Sequence, residues 1–365
     1  MEPLSSAKDL ETELDSIMAQ LSRHIETIGT ELDKPFKSDA AKIRMTIGSI
    51  TMLTHKFMQF LPKVGTARDA EIRAQGPLPP SHLHRWSNLS SRLYKERTWL
   101  TQWPKIETLV RLQLPSKQRK LYRNENRTED ITVSQLSVYD GIFEDIHKIL
   151  NPAGQTDFAR NHGCFADIPL PHSVFMAHMH AAHRVLLAMR LRHPTRFLDV
   201  GCGGGLKVLS ATKFFDRANG LEFDPTYVTA AQDLFNRSSS DTCRVFQADG
   251  LVHEGYDQYD VIYFYRPMRD NELLNRLENQ IIKFARPGTL IVAPYLIFEA
   301  RYKSLGCGKI DDYLYITQTS QTDAKDLRRR AEMTGPFVRN KAPRAASIWD
   351  PILTASQSMG FGLEL

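Results

Sequence analysis

The first apolar pattern in the chain is Leu10, Leu14, Ile17, Leu21, Ile25 and Ile28, in steps of three and four. That spacing puts one stripe on one face of a helix and predicts an amphipathic helix closed by Gly29 as a C-terminal cap. A second stripe, Ile43, Ile47, Ile50, Phe57 and Leu61, predicts another helix with Thr54 filling the missing step. Ser38 is its expected N-cap and Pro62 its expected stop. Two such helices joined by a short break read as an antiparallel pair whose stripes face each other. Turned outward, the same stripes would make a homodimer through the N-terminal helices.

The segment Gln75-Gly-Pro-Leu-Pro-Pro80 marks a boundary. Aromatic-rich helices follow, carrying Trp86, Tyr94, Trp99 and Trp103, and Pro104 suits the first position of a new helix. Further helices are expected over Ser134–Leu150 and from Ser173 to about Leu191, with a loop over Asp157–Pro171 between them. From Arg196 the pattern changes. Short apolar runs, Phe197–Val200, Ala218–Phe223, Arg244–Gln247, Tyr259–Tyr265 and Thr289–Ala293, alternate with helical stretches such as Asn271–Phe284. Tyr313–Thr317 adds a late antiparallel strand. This alternation predicts an α/β fold, a three-layer sandwich around a mostly parallel sheet, preceded by an all-α N-terminal region. The expected divisions are a helical hairpin region (1–75), a helical, aromatic-rich and basic region (76–172), the α/β core (173–319) and a polar, flexible C-terminal tail (320–365). Within that tail, Ile348-Trp349-Asp-Pro-Ile-Leu carries enough apolar surface to dock back on the body or to be read by a partner.

Over 365 residues, 42% hydrophobic and 24% charged positions place the chain among ordinary globular proteins and exclude collagen-like or wholly disordered classes. No apolar run approaches the roughly 20 residues of a membrane-spanning helix. The acidic start, MEPLSSAKDLETELD, lacks the apolar stretch of a secretory signal, so a cytoplasmic location is expected. Cys164, Cys202, Cys243 and Cys307 are too widely spaced for a metal motif or a compact disulfide framework, and free thiols are expected. Lys and Arg exceed Asp and Glu by 47 to 42, a net charge of +5, which permits contact with nucleic acid without implying it. The densest basic stretch runs from Arg111 to Arg127 around Tyr122. It reads first as a solvated face and second as a contact for phosphates and a base. Among His172, His178, His180 and His183, only the last two have a helical spacing that shares a face. With no carboxylate nearby in sequence, no metal site is expected.

The chemistry concentrates after the first strand. Phe197-Leu-Asp-Val runs into Gly201-Cys202-Gly203-Gly204-Gly205 and then into a helix from Leu206. A strand, a glycine turn and a helix together place a ligand against backbone N–H groups at the helix start. A dinucleotide fingerprint would need a third glycine where Leu206 stands. The pattern is instead D-x-G-x-G-x-G, formed by Asp199, Gly201, Gly203 and Gly205. On these residues the sequence resembles the class I S-adenosylmethionine-dependent methyltransferases. The resemblance implies a seven-stranded-type sheet and S-adenosylmethionine as cofactor. It also implies a cofactor site built from Asp199, Gly201, Cys202, Gly203, Gly205, Glu222, Phe223, Asp249 and Gly250. Glu222, twenty-three positions after Asp199 at a strand end, matches the family's ribose-binding acid. Asp224 reads as a helix cap, and Asp249 matches the acid that meets the adenine amine.

The methyl acceptor is expected over the end of the fourth strand. Enzymes that methylate exocyclic amines of bases show an Asn or Asp, two prolines and an aromatic there. Tyr265, Arg266, Pro267 and Met268 stand in their place, without the side-chain carbonyl that would take the amine proton. Tyr265 and Arg266 are the candidates for orienting a substrate. The resulting expectation is a methyltransferase for a small-molecule acceptor, with RNA or protein acceptors behind it and no membrane partner. The alternatives are a non-catalytic cofactor-binding scaffold that uses its N-terminal helices for partner contacts, and a nicotinamide-dependent oxidoreductase, which the glycine spacing disfavours.

Overall fold

A computed structural model describes residues 6–34, 36–76, 79–114, 118–122, 130–165, 170–338 and 346–363. Lys117, Arg123 and Arg127 of the basic stretch, and Arg339, Lys341 and Arg344 near the end, lie outside them. The chain forms two compact units, one of Met1–Lys117 with Phe337–Leu365, the other of Gln118–Pro336. The expected divisions at 75, 172 and 319 do not coincide with the limits of these units.

The helical unit contains α1 (Ala7–Leu32), α2 (Ala40–Gln75), α3 (Pro80–Leu100), α4 (Trp103–Gln113) and α13 (Asp350–Ser358). The full α1 stripe, Leu10 to Ile28, is buried, as are Ile43, Ile47, Ile50 and Phe57 of α2. Three local expectations fail. Gly29 lies inside α1, where an added Cβ would stand 3.0 Å from Pro351 on α13, so this glycine serves close helix packing. Asp39, not Ser38, caps α2, accepting from the Ala41 and Lys42 N–H groups at 3.0 Å. Pro62 sits within α2, which continues to Gln75 with Val64 buried beyond it, so the continuing stripe outweighs the one lost backbone bond.

The C-terminal region is not a tail. Trp349 is fully buried, stacks on Trp103 at 5.3 Å and donates its indole N–H to the Trp99 carbonyl at 2.9 Å. Ile352 and Leu353 of α13 join the same core. Helix α12 (Gln321–Glu332) belongs to the second unit, where the Arg184 guanidinium donates to the carbonyls of Arg119, Lys120, Ala331 and Thr334. This buried cluster ties 118–122 to α7 and α12.

In the second unit α5 (Asp130–Leu150), α6 (Asp157–Asn161) and α7 (His172–Met189) precede β1 (Arg196–Val200). Then follow α8 (Leu206–Ala211), β2 (Arg217–Glu222), α9 (Pro225–Arg237), β3 (Cys243–Gln247), β4 (Val261–Phe264), α10 (Asn271–Phe284), β5 (Leu290–Val292), α11 (Leu296–Arg301), β6 (Cys307–Asp311) and β7 (Leu314–Thr317). The seven strands form one sheet in the order β3-β2-β1-β4-β5-β7-β6. All pairs are parallel except those of β7 with β5 and β6. Phe197 to Val200 and all of β4 are buried, as strands covered on both faces require. One face packs Leu198, Val200, Ile262 and Phe264 against Leu274, Leu277 and Ile281 of α10. The other packs Phe197 and Tyr263 against Phe175 of α7 and Phe215. The three-layer expectation holds. Strand β6 had no signal in the sequence, because Cys-Gly-Lys-Ile-Asp shows no clean alternation.

The histidines of α7 take packing roles. His172 stacks on Phe143 at 3.7 Å, and His178 meets the Tyr122 hydroxyl at 3.0 Å. Burial pushes each imidazole down to about 4. Tyr122 is thereby engaged inside the fold and does not serve as a stacking platform for a base. Among the described residues no group of three or more His, Cys, Asp or Glu could hold a metal, the four cysteines form no disulfide, and no helix is long and apolar enough to cross a membrane.

Candidate functional site

A cleft opens over the carboxyl ends of β1, β2, β3 and β4, where the strand order reverses direction and an open α/β sheet ordinarily binds its ligand. Its floor is the glycine turn. Gly201 and Gly205 have φ of +79° and +81°, values that side-chain-bearing residues rarely adopt. At Gly201 a Cβ would stand 2.7 Å from Pro267, and at Gly205 2.9 Å from Ala231. The turn is tied back to β2, with the Gly201 N–H donating to the Leu221 carbonyl at 2.8 Å. Cys202 lines the cleft but sends its buried thiol under Gly220 of β2, where burial pushes its pKa up.

Glu222 ends β2 beneath this turn. Its carboxylate accepts the Gly203 N–H at 2.9 Å and the Phe223 and Asp224 N–H groups at 2.8 and 2.9 Å. Burial raises its pKa, and the three backbone donors offset only part of that rise. Asp224 caps α9 through Thr226 and also accepts the N–H and hydroxyl of Thr156 at 2.7 and 2.9 Å. Burial works against the charge, yet these hydrogen bonds prevail and hold the carboxyl below its ordinary range. Asp224 thus clamps the start of α6 to the sheet, which bears out its reading as a cap.

Asp249 follows β3, accepts the Leu251 N–H at 2.9 Å and lies 3.2 Å from His162 Nε2. Phe223 stacks with His162 at 4.0 Å and with Phe158 at 4.7 Å. Two rings cannot share one face of a phenyl at those distances, so they take opposite faces. Gly250 is buried, its carbonyl held by the Tyr256 hydroxyl at 3.0 Å. Eight of the nine residues expected at the cofactor site line this one cleft; Gly205 does not, and packs against Ala231 and Phe235 of α9.

The wall beyond β4 holds Tyr265 and Arg266, as expected, together with residues the sequence did not single out: His147, Gln155, Phe165 and Lys207. Lys207 Nζ lies 5.7 and 5.8 Å from the ring centroids of Tyr263 and Tyr265. The others come from the segment before β1, which no spacing in the sequence connects with the end of β4. The structure pairs 163–165 antiparallel with 267–269. Phe165 N–H donates to the Pro267 carbonyl at 2.8 Å and Arg269 N–H to the Gly163 carbonyl at 2.9 Å, around a Cys164–Met268 bridge.

The model of the protein-L-isoaspartate (D-aspartate) O-methyltransferase family matches residues 140–279. No curated protein matches the sequence. Similar solved structures include an RNA methyltransferase from Salinibacter ruber in complex with S-adenosyl-L-homocysteine, at 22% identity and TM-score 0.29, covering 34% of this chain and 76% of that one. A [4+2]-cyclase is similar at 23% identity and TM-score 0.26, over 31% of this chain and 44% of that one. A sugar N-methyltransferase from Streptoalloteichus sp. is similar at 19% identity and TM-score 0.27, over 35% of this chain and 54% of that one. Two of these three chains are spanned over only about half their length. The assignment rests on the sheet order with its single antiparallel strand, the D-x-G-x-G-x-G turn with Glu222 under it, and the family model, which spans that turn and β1 to β4. Residues 118–336 have the fold of the class I S-adenosylmethionine-dependent methyltransferases, and 140–279 of them match the methyltransferase family model.

Proposed function

We propose that the chain transfers the methyl group of S-adenosylmethionine to a small-molecule acceptor seated at the carboxyl end of β4. The observation that carries this reading is the cleft itself. Its glycine turn closes over Glu222, which holds the Gly203 N–H, and its β4 end is walled by His147, Gln155 and Phe165, which leave a concave site in place of an open face. The donor set suits the cofactor. Acids at the ends of β1, β2 and β3 (Asp199, Glu222, Asp249) can accept from an ammonium group, ribose hydroxyls and an adenine amine. In this reading Glu222 takes the ribose, Phe223 and Asp249 meet the adenine, and the turn Gly201–Gly205 approaches the amino-acid end. His162 already touches both Phe223 and Asp249, so an adenine ring displaces its imidazole to reach them.

The bound cofactor supplies an electrophilic methyl on a sulfonium, and the chain's part is positioning. Holding a nucleophile in line and in near contact accounts for up to about 7–11 kcal/mol of barrier reduction. Tyr263 and Tyr265 shape the floor of the acceptor end, and the Tyr263 hydroxyl, pushed up in pKa by burial, keeps its proton at neutral pH. With free cysteines and no apolar helix of spanning length among the described residues, we place this activity in a reducing, cytoplasmic setting. The test is calorimetric titration with S-adenosylmethionine, followed by methyl-labelled turnover. Micromolar binding is expected, and a folded protein that binds neither S-adenosylmethionine nor S-adenosylhomocysteine overturns the proposal.

A further inference from the structure

We propose that residues 162–165 form a strap through which the cofactor sets the acceptor wall. Adenine and the His162 imidazole compete for one place, and expulsion of the imidazole repositions Phe165 and Arg266. The acceptor site is then completed only after S-adenosylmethionine has bound. This rests on the cofactor reading above and adds an order of binding to it. Phe223 is gripped on both faces from α6, by Phe158 at 4.7 Å and by His162 at 4.0 Å, side chains one helical turn apart. Asp249 lies 3.2 Å from the same imidazole. An adenine that stacks on Phe223 and reaches Asp249 has to open that grip.

The bonds around the strap pass the push onward. Helix α6 is held at its start, where Asp224 accepts the N–H and hydroxyl of Thr156. At its far end the N–H groups of His162, Gly163 and Cys164 donate to the Phe158, Arg160 and Ala159 carbonyls, each at 3.1 Å. Residues 162–164 and the last turn of α6 are therefore one piece, free to pivot about the Thr156 end. Gly163, with φ +92°, turns the chain into the bridge with 267–269, and a Cβ there would stand 2.6 Å from Leu273 of α10. Beyond that turn Phe165 is bonded to Pro267 and Gly163 to Arg269, so the adenine contact and the acceptor wall are three residues apart. Pro267 is itself packed on Gly201, 2.7 Å from a Cβ placed there, so it cannot retreat. The movement falls instead on the Phe165 ring and on the guanidinium whose Cζ stands 5.5 Å from its centroid. Arg266 is suited to respond: its φ is +47°, a left-handed backbone, and its buried Nε has no hydrogen-bond partner among the described residues. Strain and an unsatisfied donor both lower the cost of leaving this arrangement. Phe165 and Arg266 act here as positioning residues.

The experiment uses the full chain with 4-fluorophenylalanine in place of Phe165. The fluorine resonance is followed by NMR while S-adenosylhomocysteine is added, and calorimetry gives the Kd of the same titration. The expected result is a resonance that shifts to saturation with that Kd. In His162→Ala, saturation should move the resonance at least threefold less, because no ring is left to expel. His162→Phe restores a ring on Phe223, so it should restore the shift while binding S-adenosylhomocysteine no tighter than the parent. Thermal melts check that each variant is folded, and His162→Gln replaces His162→Ala if the alanine variant is not. Saturation without a shift overturns the proposal. So does an equal shift in the parent and the ringless variant, which is the direct effect of the ligand on position 165. Failure of the underlying cofactor reading shows separately, as a folded parent that binds neither S-adenosylhomocysteine nor S-adenosylmethionine, and it overturns both.

Discussion

Replacing Trp349 by alanine tests whether the C-terminal helix is part of a core or an appendage. The indole is fully buried, stacks on Trp103 at 5.3 Å with an interplanar angle of 22°, and its N–H is held by the Trp99 carbonyl. A buried indole removes about 200 Å² from water, worth about 5 kcal/mol at 25 cal/mol/Å² as an upper bound. Truncation leaves part of that as cavity, and Trp→Ala in a core costs about 3–5 kcal/mol. A small unit has about 5–15 kcal/mol in all. The four tryptophans, Trp86, Trp99, Trp103 and Trp349, all belong to the helical unit, so intrinsic fluorescence reports its unfolding alone. With a urea slope of about 2 kcal/mol/M, the midpoint should fall by about 2 M. Trp349→Phe keeps a ring on Trp103 and loses the hydrogen bond, so its midpoint should fall by about 0.5 M, from about 1 kcal/mol. A Trp349→Ala midpoint within about 0.3 M of the parent would refute the packing argument and return 346–363 to the status of a tail.

Other outcomes follow from the same geometry. Glu222→Ala removes the acceptor beneath the glycine turn and should weaken S-adenosylmethionine at least tenfold by calorimetry, about 1.4 kcal/mol; unchanged affinity would remove Glu222 from the ribose. His162→Ala should tighten S-adenosylmethionine by roughly threefold to tenfold, because the cofactor no longer displaces a stack worth about 0.5–1.5 kcal/mol; weaker binding would instead make the imidazole part of the adenine site. Glu31 is buried, and its hydrogen bonds to Lys34 and Lys42 hold its carboxyl at about 2 against an ordinary 4.5. A folded pKa below the unfolded one stabilises above 4.5, and that contribution is lost as pH falls toward 2. Glu31→Gln should therefore lower the fluorescence midpoint at pH 7, by an amount that shrinks as pH falls from 4.5. A gap that stays constant across that range would show that the ion pairs contribute nothing.

What the sequence determined by itself was local and periodic. The α1 stripe, the short apolar runs of the parallel sheet and the D-x-G-x-G-x-G turn with Glu222 after it are all legible there, because each is fixed by neighbours within a few turns of chain or by one strand–turn–helix unit. Caps and stops were less secure. Gly29 and Pro62 carry the marks of helix ends, yet both lie inside helices, since packing on Pro351 and a continuing apolar stripe outweigh local preference. Pairings between distant segments were decided by tertiary structure alone. Burial of Trp349 on Trp103, more than two hundred residues away, makes a core helix of a polar-looking terminus. The bridge between 163–165 and 267–269 brings Phe165 to Arg266 and fixes a backbone angle that no sequence pattern announces. Periodicity records which face of an element is apolar; it carries no information on which distant surface covers that face, and the acceptor end of the cleft is built from such meetings.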